Sequence, residues 1–149
     1  MAEPRERPYS QFNFLVDFGN GTEGVQAGFQ EVAGLGLEIT VAEYRNGNEQ
    51  DNAPRKITGM YKVPDVTLKR GVIGSLDLYE WLNEVRNGSQ NSLRSVTIQL
   101  QDEAHTQVVQ EWKLTNARPI KYTGPSLNGK GSDVAIEELT LAAERIDIA

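Results

Sequence analysis

The residues able to do chemistry in this chain are few and scattered. One histidine, His105, could act as an acid, base or metal ligand, but no nucleophile stands near it and Asp102-Glu103-Ala104-His105 reads as a turn, which makes it a solvated turn residue. Gly19-Asn20-Gly21-Thr22-Glu23-Gly24 has the glycine density of a phosphate cradle. No Lys-Ser/Thr closes it and no helix follows, so it reads as a hairpin turn. Asn46 to Pro54 contains amides and carboxylates without the D-x-[DN]-x-[DN]-G series of a calcium loop, and reads as an exposed loop tip. Lys69-Arg70 could hold an anion, while Asp77, Glu80 and Glu84 form a solvated helix face. No cofactor motif and no catalytic constellation emerges, and the chain reads as a non-enzyme that needs no cofactor.

The elements that would position any site are almost all strands. Phe12, Phe14, Val16 and Phe18 alternate with Gln11, Asn13, Leu15 and Asp17, and Val96, Ile98 and Leu100 with Ser95, Thr97, Gln99 and Gln101. Val25 to Val32 reads as a second strand, and Leu35, Leu37, Ile39 and Val41 as the apolar face of a third. Val108 to Thr115 returns from the His105 turn, and Ala117 to Pro125 reads as irregular and extended. Near the end, Val134 and Ile136 are out of phase with Leu139 and Leu141, and a bulge at Glu137-Glu138 would restore one inward face.

One segment breaks the two-residue period. Leu78, Trp81, Leu82 and Val85 recur at helical spacing and predict a helix over about 75–86 with these four as its core stripe. Ser75 is placed to cap it, Asp77 and Glu80 suit its positive end, and Asn87-Gly88 stops it.

With 149 residues the chain is read as one domain, residues 1–149, large enough for a core. It has no cysteine, which excludes disulfides and thiolate metal sites, and a net charge of −6, which disfavours nucleic-acid or anionic-membrane surfaces. No run reaches the ~18 apolar residues of a membrane span. Residues 1–8, charged and proline-rich, read as a flexible or docking arm rather than a signal peptide, and a cytoplasmic product is the default expectation.

Residues 44–62 read as a protruding hairpin with little of its own chain to pack on, a candidate for contact with another subunit. Its expected contact residues are Tyr44, Arg45, Asn46, Gly47, Asn48, Glu49, Gln50, Asp51 and Lys56. A sheet protein with unpaired edges can close them between subunits, and a heterologous interface that closes gives a ring. In such a ring Glu38, Thr40, Ser95, Thr97, Gln99 and Gln101 could face a water-filled lumen.

The ordered stretches Phe12–Val16, Phe29–Leu35, Glu43–Gly47, Val66–Gly71, Leu78–Leu82, Ala117–Pro125 and Val134–Leu139 resemble the tail tube proteins of contractile phage tails, and more closely the inner tube proteins of phage-tail-like contractile injection systems. The resemblance implies a mainly β fold, two packed antiparallel sheets forming a barrel-like sandwich with one flanking helix. It implies six subunits per ring, rings stacked as a tube, and a hairpin reaching neighbouring subunits and rings. The implied partners are the chain itself, a sheath protein, a baseplate hub, a tube-terminating cap, and cargo protein or DNA in the lumen. The implied location is the bacterial cytoplasm during assembly, then a phage tail or released particle. Ala33 stands where the family often has Ser, and Asn46 where an acidic residue is common. A tube-to-baseplate adaptor ring is the alternative within this class, and a monomeric small-ligand-binding β-barrel the alternative outside it.

Overall fold

The computed structural model describes residues 2, 4–18, 28–72, 74, 76–88 and 92–149. The Gly19–Gly24 turn, the first part of the Val25–Val32 strand and the Ser75 cap lie outside the described residues. Among the described residues nine strands and one helix follow in the order β1 (Phe14–Asp17), β2 (Glu31–Ala33), β3 (Glu38–Tyr44), β4 (Arg55–Lys62), β5 (Val66–Gly71), α1 (Asp77–Arg86), β6 (Arg94–Gln101), β7 (Val108–Thr123), β8 (Ile136–Ala142) and β9 (Arg145–Ile148).

The protein is mainly β, with two antiparallel sheets. Among the described residues seven strands form one sheet in the order β1-β6-β7-β8-β5-β2, with β9 also on β7, while β3 and β4 pair only with each other. The larger sheet turns on β7. Trp112–Thr115 pairs with β9 and Arg118–Thr123 with β8, and Asn116 between them has φ +53°. The Glu144 carboxylate spans this corner, accepting from Asn116 Nδ2 at 2.8 Å and Arg118 Nη2 at 2.9 Å. The segment expected to be irregular is therefore the second half of a 16-residue strand. Pro119 fits because the register shifts between Pro119 and Lys121, a place where a missing N–H costs little.

Both halves of the turned sheet bury their apolar phase in one core that includes Val16, Val66, Leu68, Val96, Ile98, Leu114, Leu139, Leu141 and Ile146. The large sheet is not closed into a barrel by one chain, because β1 and β2 end it as edges. Helix α1 seals the core. Leu78 and Trp81 are buried, and Leu82 and Val85 are half-buried. Trp81 donates its indole N–H to the Ser92 carbonyl at 2.7 Å and meets Phe18 edge-on, and Phe18 meets Phe29 the same way. The helix begins at Asp77 with Leu76 in the cap position and no side-chain cap bond; it ends at Asn87, with Gly88 at φ +83°.

The expected bulge at Glu137-Glu138 is absent. Strand β8 pairs with β5 without a shift from Ile136↔Gly71 to Leu141↔Val66. The inward phase of β8 is Glu137, Leu139 and Leu141, all buried, while Ile136 and Val134 are exposed. The apparent phase slip thus marks a charged residue taken into the core.

Candidate assembly surface

Strands β3 and β4 form a ribbon paired from Glu38↔Lys62 to Tyr44↔Arg55, with a shift between Ile39 and Val41. Every residue of both strands is exposed. The ribbon begins at Glu38 rather than Tyr44, so the third strand, expected to be half-buried, belongs to it. Ile39, Val41, Ile57 and Tyr61 are each at least half exposed, and Met60 is 84% exposed. By alternation Ile39, Tyr61 and Val41 share one face, with Ala42, Ile57 and Tyr44 on the other. A two-stranded ribbon is marginally stable alone in water, so both apolar faces and both edges of this one call for a covering partner.

The ribbon's tip is built rather than loose. Arg45 donates from Nε to the Asp51 carbonyl at 3.0 Å and from Nη2 to the Glu49 carbonyl at 2.9 Å. The Glu49 amide donates to the Asn46 carbonyl, the Ala53 amide to the Asp51 carboxylate, and the Glu49 carboxylate pairs with Arg55 at 3.3 Å. The Tyr44 hydroxyl bonds Asn46 Oδ1. Of the nine expected contact residues, all are exposed except Glu49, which is tucked in; Lys56 lies on β4 opposite Glu43.

The six expected lumen residues fall on two different sheets. Glu38 and Thr40 are on the ribbon, where Thr40 Oγ1 donates to the Met60 carbonyl at 2.8 Å. Ser95, Thr97, Gln99 and Gln101 are on β6. Thr97 and Gln99 lie beside Asp17, Leu15, Lys113 and Glu111 on the face turned away from the core, since Val96 and Ile98 face inward. That face is polar and mixed in charge.

The Arg70 site is the feature that sequence reasoning missed. Arg70 is 2% exposed and is no anion receptor. Its Nε meets Glu137 Oε1 at 2.5 Å, and its Nη2 meets Asp77 Oδ1 at 2.6 Å. The Tyr122 hydroxyl donates to Glu137 Oε2 at 2.7 Å. This network joins β5, β7, β8 and α1. Burial opposes the charge on Arg70, but bonds to Asp77 and Glu137 outweigh it and hold its pKa above the ordinary value. The signal was present in the sequence: Val66, Leu68 and Arg70 share one phase, as do Glu137, Leu139 and Leu141. The partner of Arg70 in Lys69-Arg70 behaves differently, since Lys69 is a surface residue 3.5 Å from Glu31.

Arg5, Ser10 and Asn13 bond to the β6–β7 turn. Arg5 pairs with Glu103 at 2.5 Å and lies over the Tyr9 ring. The hydrogen bond from Arg5 pulls the Glu103 carboxyl down to about 2. His105 sits in this exposed turn at φ +57°.

The sequence profile of the family described as T4-like virus tail tube protein gp19 matches residues 10–147. The chain belongs to that family. The tail tube protein is also similar to several solved structures. It is 30% identical to a chain of the sheath–tube complex of an extracellular contractile injection system, PVC, in the extended state, with a TM-score of 0.84 and coverage of 97% of this chain and 93% of that one. It is 29% identical to a chain of the anti-feeding prophage cap, TM-score 0.85, covering 100% and 95%. Hcp1 from Flavobacterium johnsoniae, 14% identical with a TM-score of 0.59 over 93% and 95% of the two chains, shares the fold. No curated protein sequence matches it. Family membership makes it a structural tube component.

Proposed function

We propose that this tail tube protein is the repeating subunit of the inner tube of a contractile injection particle or phage tail, assembling as six-membered rings stacked around a lumen that carries cargo protein or DNA. One observation carries the reading: a ribbon of two strands, exposed along its whole length and rich in aliphatic and aromatic side chains, projects from a subunit that already has its own core. Covering the exposed parts of Ile39, Val41, Ile57 and Tyr61 is worth about 1 kcal/mol each. The open edges β1 and β2 supply further strand pairing between subunits. Similarity to chains of a sheath–tube complex and a tube-terminating cap supports a sheath and a cap as partners, and the shared fold of a baseplate chain is compatible with a baseplate hub at the other end. The expected contact set, Tyr44 to Asp51 with Lys56, lies between rings in this reading, and Glu38, Thr40, Ser95, Thr97, Gln99 and Gln101 line the lumen. Assembly takes place in the bacterial cytoplasm before the particle is released.

Sedimentation velocity tests the reading. The wild-type chain is expected to form rings or larger assemblies as its concentration rises. Val41→Asp and Ile57→Asp, one on each ribbon face, should stay monomeric with an unchanged circular dichroism spectrum. Variants that associate like wild type would remove the ribbon from the interface. A chain monomeric throughout whose melting temperature rises with a small ligand would point to the binding-module alternative.

A further inference from the structure

The tip of the β3–β4 ribbon poses a physical problem. A polar loop of residues 45–54 has no apolar core, and a loop that orders only on meeting its partner subtracts the ordering entropy from the docking free energy. In this chain the problem is solved inside the loop, by one side chain. The Arg45 guanidinium reaches inward across the loop and donates to the carbonyls of Glu49 and Asp51, and its Nη2 lies 3.5 Å from Asn52 Oδ1. These acceptors lie on the return limb, so the fork ties the outgoing limb to the incoming one. Around it, Asn46 Nδ2 approaches Glu49 Oε1, the Glu49 carboxylate is drawn back onto Arg55, and the Asp51 carboxylate caps the Ala53 amide. The exposed side chains that take no part in these bonds are the uncharged Asn48 and Gln50. Each charged side chain at the tip thus has an internal partner, and the amides of Asn48 and Gln50 are left free for an outside one.

We infer that Arg45 is a positioning residue that holds the ribbon tip in its docking shape before two rings meet, so that an amide-bearing knob, Asn48 and Gln50, is offered ready-made to a second copy of this chain in the adjacent ring. The inference rests on the tube reading for its partner, but its first half, the preformed tip, is a property of the free subunit. The planar fork is what matters, because three acceptors at separate positions are reached by two nitrogens of one rigid group. A lysine keeps the charge and cannot reproduce the geometry.

The experiment uses the full-length chain, diluted below the concentration at which it associates, and a glutamyl endopeptidase that cuts after Glu49. Cleavage there tracks the fraction of loops that are open. Arg45→Ala and Arg45→Lys are each expected to raise the rate at Glu49 by about tenfold, the factor matching loss of a charge-assisted hydrogen bond. The melting temperature should not move, because the tip adds nothing to the core. In a parallel assembly series, both variants should form rings yet need about tenfold more protein to stack them. Equal cleavage of wild type and both variants would overturn the inference, as would rescue by lysine of either readout. Protection of Glu49 in a wild-type chain that never associates would count against the tube reading and leave the preformed tip standing; unchanged stacking by variants with an opened tip would remove its role in docking.

Discussion

The buried Arg70 network makes a prediction whose sign pattern is more informative than its size. Arg70→Met removes the cation and leaves Glu137, 5% exposed, with the Tyr122 hydroxyl as its remaining side-chain partner among the described residues. Removing one partner of a buried pair costs about 3–5 kcal/mol, because the surviving charge is stranded. Asp77, with a third of its side chain in solvent, rehydrates and adds little. Glu137→Leu is milder: Arg70 keeps its bonds to Asp77 at 2.6 and 3.3 Å, so the loss is that of a charged hydrogen bond, about 1.5–3 kcal/mol. The double variant should recover most of the loss, finishing within about 1 kcal/mol of wild type, since two apolar side chains then extend the inward phases of β5 and β8. For a domain of this size the Arg70→Met loss is about 6–20 °C in melting temperature. Urea unfolding followed by tryptophan fluorescence reads all three variants. It must be run below the association concentration, since assembly would otherwise add to apparent stability. A double variant that loses the sum of the two singles would refute the stranded-charge argument.

Four further outcomes follow from particular residues. Trp81→Ala should cost about 3–5 kcal/mol in the same assay, from the cavity and the lost indole N–H bond to the Ser92 carbonyl; a loss below about 1 kcal/mol would contradict its place in the core. Gly34→Ala should cost about 2 kcal/mol or more, since Gly34 has φ +91° and an added Cβ would collide with the Asp65 carbonyl. Glu103 has a folded pKa depressed to about 2, so its tether to Arg5 is fully present above the ordinary carboxylate range and is lost as pH falls through about 2. Proteolysis within residues 4–12 should therefore accelerate for Glu103→Gln at neutral pH, and equal rates would show that the tether does not hold them. Deleting Asn48 to Asn52 should leave the melting temperature unchanged and shorten filaments, which electron microscopy can measure.

The parts of the fold legible in the sequence were those where side-chain period and burial coincide. The helix was legible because Leu78 and Trp81 carry its inward stripe, and β6 because Val96 and Ile98 do the same for a strand. Legibility failed where a residue type contradicted its position. Glu137 is a charge in an inward slot, and reading it as solvated forces a bulge that β8 does not have. Pro119 suggests a break, but the shift beside it lets β7 continue through. Ile39 and Val41 suggest a half-buried strand, yet among the described residues nothing in their own chain buries them, and in the proposed tube a second subunit would. That last failure is functional in origin: apolar alternation in one sequence cannot say whose core it completes. The tip loop was legible as a loop, but the Arg45 fork depends on backbone carbonyls that no residue type announces.

Negative-stain electron microscopy of the purified chain across a concentration series tests the central claim most directly. The account predicts six-fold rings at low concentration and hollow filaments of stacked rings at higher concentration. Isolated particles of single-subunit size at every concentration, persisting after a baseplate-bearing lysate is added to nucleate assembly, would contradict it.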